Sequence, residues 1–124
     1  MGDTVEIWTV CAGKPPPGKI SPFALALQSR WQTGRSAVEQ RKQEDLTSCR
    51  LLGASSRYLK YPDCIYRRHP ETGEFLYASE AALTATLHPD DHPTIAALQT
   101  ELRHSLPPEA VLVSPLAIGT HVDH

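Results

Sequence analysis

Val5-Glu6-Ile7-Trp8-Thr9-Val10 alternates apolar and polar side chains and is rich in the β-branched and aromatic residues that suit a pleated surface. The stretch predicts a strand. Cys11-Ala12-Gly13 breaks it, and a proline-rich loop follows from Lys14 to Pro22. Outward from there, helix and strand signals alternate. Phe23 to Trp31 reads as a short helix closed by Thr33-Gly34. Ser36 to Leu52 is the strongest helix, with Ser36 and Glu39 placed as a capping box and Gly53 as a left-handed stop. Arg57 to Tyr61 predicts a second strand, halted by Pro62-Asp63. A turn at His69 to Gly73, a short extended piece at Phe75-Leu76-Tyr77 and one or two helical turns between Ser79 and Leu87 come next. Pro93 to Leu106 carries Ile95, Leu98, Leu102 and Leu106 on one stripe and predicts a helix. Ala110 to Ser114, apolar almost throughout, predicts a third strand covered on both faces. Such alternation points to an α/β architecture with a mainly parallel sheet.

The 124 residues suit one domain rather than two. Twelve Lys and Arg against 14 Asp and Glu give a formal charge of −2, without the basic footprint that nucleic-acid binding requires. Eleven prolines fall in clusters, as loop punctuation does. The cysteines Cys11, Cys49 and Cys64 are odd in number and form no C-x-x-C pair, which argues against a disulfide framework or zinc knuckle and for a reducing compartment. No apolar run reaches the ~18 residues of a membrane span. The start carries Asp3 and Glu6 and no basic leader, and Glu6 stands where myristoylation after Met1-Gly2 would want Ser or Thr. The expectation is a cytoplasmic protein with no membrane span.

Ligands of such sheets bind outside the carboxyl ends of the strands. Those ends deliver Thr9 to Gly13, then Asp63, then His121, Asp123 and His124. Histidines and carboxylates converging there suit a metal or acid–base site; the competing reading is a frayed terminal tail. On the long helix, Arg41 and Asp45 fall along the stripe of Val38, Cys49 and Leu52, so they face a cleft or are paired, the alternative being a solvated Arg41–Glu44 pair. His88-Pro89-Asp90-Asp91-His92 offers two carboxylates and two imidazoles, but the following helix makes Asp91 or His92 read as a cap with proline in the first turn.

Four pieces together resemble the zinc-dependent N-deacetylases of the PIG-L/LmbE type. They are Thr-x-x-x-Gly (Thr9 to Gly13), Arg-x-x-Glu-Asp ending in Leu-Gly-Ala (Arg41, Glu44, Asp45, Leu52 to Ala54), Tyr-Pro-Asp-x-x-Tyr-Arg (Tyr61 to Arg67), and Pro-Leu-x-x-Gly-x-His-x-Asp-His (Pro115 to His124). The resemblance implies a Rossmann-like three-layer α/β sandwich with a mainly parallel sheet, incomplete at both ends, residues 1–124 forming one partial deacetylase domain. It implies hydrolysis of the acetamide of an N-acetylated amino sugar or glycoconjugate by zinc-activated water. By the same resemblance His124 would be a zinc ligand, His121 would stabilise the oxyanion and protonate the leaving amine, Asp123 would tune the histidines, and Arg41 and Asp63 would contact substrate. The family's first strand, with its Pro-His-x-Asp-Asp loop, has no counterpart here; two zinc ligands and the general base go with it. His88 to Asp91 resembles that motif in letters alone. The exposed sheet edge left behind predicts self-association. The rival readings are a catalytically inactive Rossmann-like module that binds a sugar or a protein, and an unrelated metal site built from the histidines at 88–92 and 121–124.

Overall fold

The structure is a computed structural model that describes residues 3–124, so the Met1-Gly2 reading lies outside the described residues. Two parallel strands, β1 (Glu6–Thr9) and β2 (Ser55–Tyr58), form the sheet, with Glu6 opposite Ser55 and Thr9 opposite Tyr58. The crossover between them carries two helices, α1 (Pro22–Arg30) and α2 (Ala37–Leu52). The one-turn helix α3 (Glu80–Leu83) and the longer α4 (His92–Ser105) follow. Among the described residues no helix is long and apolar enough to cross a membrane.

Local chemistry explains most of these boundaries. Ser21 accepts a hydrogen bond from the Ala24 N–H at 3.0 Å and Pro22 fills the first turn, so α1 starts where a cap and a pre-set φ coincide. Gly53 ends α2 at φ 67°, the left-handed conformation a Cβ disfavours. The expected capping box at Ser36 does not form. A 3₁₀ turn over Gly34–Ser36 brings the chain into α2 already coiled, and the Ser36 hydroxyl donates back to the Thr33 carbonyl at 2.9 Å.

Strand β2 begins two residues earlier than expected, because its ladder with β1 overrides the low strand propensity of Ser55 and Ser56. The third strand is not present among the described residues. Residues 107–120 are exposed and Val111 to Ser114 has no ladder partner among the described residues, leaving Val111 90% and Val113 86% exposed. An apolar β-branched run becomes a strand only with a neighbour to pair with. The described residues therefore form a small α/β unit around a two-stranded parallel sheet.

The core lies beside the sheet. Ala24 and Leu27 of α1 pack on the 3₁₀ turn Cys64–Tyr66 and on Leu76 and Tyr77. The Gln28 amide donates to the Tyr66 hydroxyl at 2.7 Å, satisfying two buried polar groups at once. Residue 58 ties β2 to α2, its hydroxyl donating to Asp45 at 2.7 Å, which accounts for a carboxylate on the inner stripe of that helix.

Candidate functional site

Beyond the carboxyl ends of β1 and β2 the two departing loops stay joined. The Gly13 N–H donates to the Tyr61 carbonyl at 2.9 Å, and bridges link Cys11 with Lys60 and Gly13 with Pro62. A Cβ on residue 13 would lie 2.2 Å from the Lys60 oxygen, so only glycine permits this approach. The brace fixes Asp63 at the sheet edge, where its carboxylate accepts from the Ile65 N–H at 3.2 Å and caps the buried turn.

An open cleft of about 490 Å³ sits at this edge. Arg41, Asp63, His121, Asp123 and His124 all line it, together with Thr9, Cys11 and Trp31. Arg41 lies over the Trp31 ring at 4.7 Å, a cation–π contact that sets it at the rim without the Glu44 pairing weighed from the sequence. The terminal residues are not a frayed tail. Val122 N–H donates to the Leu83 carbonyl at 2.9 Å, His124 N–H to the His121 carbonyl at 3.0 Å, and the two imidazoles stand 5.1 Å apart.

Arg67, given no role in the sequence reading, holds this arrangement together. It is 7% exposed and makes two buried ion pairs, to Asp91 at 2.8 Å and to Asp123 at 2.6 Å, while its Nε donates to the Pro62 carbonyl at 3.1 Å. The other oxygen of Asp123 accepts from the Cys64 N–H at 3.0 Å. Asp123 thus spends its carboxylate on Arg67 and Cys64; its contact with His121 runs through its own N–H, donated to Nδ1 at 3.2 Å. Burial alone would lower the Arg67 pKa, but Asp123 and Asp91 outweigh it and raise it above the ordinary value. Burial and Asp123 push the Cys11 thiol up to about 11, and burial with Asp123 and Asp63 raises Cys64 further. The signal for Arg67 is its place as the first of the Arg67-Arg68 pair directly after the apolar Cys64-Ile65-Tyr66 run; such a charge is buried only with a partner.

The cluster at 88–92 serves structure. Asp91 stands before α4 but does not cap it; its side chain turns inward, fully buried, to Arg67 and to the Tyr77 hydroxyl at 2.9 Å. Burial and Asp91 push the Tyr77 phenol up to about 12. His88 accepts from the Asp90 N–H, capping the short turn instead.

The zinc implied by the resemblance can be tested on these donors. Among the described residues, one group of three donors lies within 4.8 Å of one another, Cys64, His121 and Asp123, and it omits His124. The residues present do not assemble a zinc set around His124, nor one at 88–92.

No family model matches the chain, and no curated protein does. Solved structures do. The chain overlays a deacetylase–teicoplanin complex from the biosynthesis pathway of teicoplanin with TM-score 0.68 and 28% identity, over 82% of this chain and 41% of that one. The neighbours are deacetylases. A deacetylase–bog complex from the same pathway gives 0.65 and 29%, over 82% of this chain and 38% of that one. The zinc-inhibited form of teicoplanin deacetylase Orf2 gives 0.65 and 29%, over 82% and 40%. The chain spans about two fifths of the length of these deacetylases. The likeness supports the deacetylase family through the fold alone.

Proposed function

We propose that this chain forms the substrate-facing part of a zinc-dependent deacetylase site that removes the acetyl group from an N-acetylated amino sugar. One observation carries the reading: Arg41, Asp63, His121, Asp123 and His124, drawn from three separate segments, line a single cleft at the carboxyl edge of a parallel sheet. In this reading Arg41 and Asp63 hydrogen-bond sugar hydroxyls. His121 donates to the developing oxyanion and then protonates the leaving amine. Asp123, locked by Arg67, fixes the backbone that aims His121. By the resemblance His124 would be the imidazole offered toward zinc, although the described residues assemble no zinc set around it.

The test is an amide-resolved NMR titration with an N-acetylglucosaminide. Shifts concentrated at residues 9–13, 41, 63 and 119–124, and reduced at least fivefold in Asp63→Ala, are expected. Shifts elsewhere, or none up to tens of millimolar ligand, would remove the reading.

A further inference from the structure

Cys64 has no part in the reaction proposed above, yet it lies behind the two residues, Asp63 and Ile65, that line the cleft, and it is fully buried. We infer that Cys64, His121 and Asp123 form a binding site for a thiophilic divalent metal, separate from His124, whose occupation withdraws His121 and Asp123 from amide chemistry. The second half of this inference rests on the role given to His121 above; the site itself does not.

Three observations support it. A thiol sulfur, an imidazole nitrogen and a carboxylate oxygen all lie within 4.8 Å of one another. Tetrahedral ligands at ordinary metal bond lengths stand roughly 3.5 Å apart, so closure needs a contraction of about an ångström. The carboxylate is already held: Arg67 fixes one Asp123 oxygen at 2.6 Å and the Cys64 N–H the other at 3.0 Å, leaving a lone pair on each for a metal. Outer contacts of this kind commonly orient ligands. The local charge also favours a dication: Asp91 and Asp123 pair with Arg67, Asp63 stands against the Cys64 thiol, and Arg41 at the cleft rim is the second cation beside these three carboxylates.

On binding, the Cys64 S–H bond breaks, its proton goes to solvent and a metal–sulfur bond forms, with no change of oxidation state. The contacts given up are long ones, the S–H to Asp63 at 3.5 Å and the Asp123 N–H to His121 Nδ1 at 3.2 Å. His121 and Asp123 line the cleft, so the fourth position opens to water there, the pattern of an open three-ligand site.

Cobalt(II) titration of the reduced chain tests this directly. A thiolate-to-cobalt charge-transfer band saturating at one equivalent is expected; Cys64→Ser abolishes it, and His121→Ala weakens binding at least tenfold. Cys11→Ser, Cys49→Ser and His124→Ala leave the band in place. Absence of the band, its survival in Cys64→Ser, or its loss in Cys11→Ser overturns the site. Cadmium-113 NMR of the unmutated chain reads sulfur coordination independently should Cys64→Ser not fold, and a resonance without sulfur ligation overturns it equally. Cadmium loading should also cancel the glycoside-induced shifts at His121. Should the glycoside produce no shifts at all, the charge-transfer band still decides the site.

Discussion

Replacing Arg67 with Met removes the single cation from a nearly water-free pair of carboxylates. Its side chain is 7% exposed, that of Asp91 1% and that of Asp123 13%. Methionine preserves most of the volume, so the loss is electrostatic rather than a cavity. Breaking a buried pair from one side costs about 3–5 kcal/mol, because the remaining charge has neither water nor partner. Here two carboxylates are stranded, and the Pro62 carbonyl loses its donor. The expected loss is at the upper end of that range, against a total stability on the order of 10 kcal/mol for a chain of this length. Guanidinium unfolding followed by circular dichroism measures it. Removing the charges together separates the mechanism from general damage: Arg67→Met with Asp91→Leu should lose about 1–3 kcal/mol less than the sum of the single changes. A cost under about 1 kcal/mol for Arg67→Met, or strictly additive losses, would refute the argument.

Gly13→Ala should destabilise by about 1–3 kcal/mol, the usual cost of forcing an extra methyl into a filled space, because its Cβ meets the Lys60 oxygen at 2.2 Å; an unchanged melting temperature would show that the two loops separate freely. The Cys11 thiol titrates at about 11 in the folded chain against 9.0 as its reference, so folding favours its protonated form. That contribution is complete below about pH 9 and is lost as pH rises toward 11. The unfolding midpoint should therefore fall over that window and fall less in Cys11→Ala; equal slopes would contradict it. Val111→Lys with Val113→Lys should reduce concentration-dependent association in sedimentation without moving the unfolding midpoint, since both side chains are at least 86% exposed. A lowered midpoint would mean that the segment packs.

What the sequence revealed and what it concealed divide along the range of the interaction. Gly53 is legible because the chemistry that stops a helix is contained within one turn, whereas the sequence reading passes over the Ser21 cap of α1 and assigns Pro22 to the loop before it. The clustering of Asp63, His121, Asp123 and His124 was legible through the rule that places ligands at the carboxyl ends of parallel strands, joined to the resemblance. Asp91 was misread because a carboxylate one residue before a helix carries the same local signature whether it caps the helix or is claimed by an arginine 24 positions earlier. Ala110 to Ser114 was misread for the converse reason: its composition suits a covered strand, and composition does not supply the neighbour.

Arg67 also sets an order of assembly. Its two carboxylate partners lie 24 and 56 positions further along the chain. Loop closure grows as the logarithm of length, by about 0.6 kcal/mol per doubling, so on this ground alone Asp91 is reached before Asp123 at an advantage of about 0.7 kcal/mol. Once Asp91 is captured, the guanidinium is fixed in direction and the second closure meets a prepared partner. During refolding, pulse-labelled amide exchange should thus see the Asp91 region protected before the amide of His124. The cleft, though its lining begins at the end of β1, matures in the last step, when the segment bearing His121 and His124 arrives at a cation already anchored.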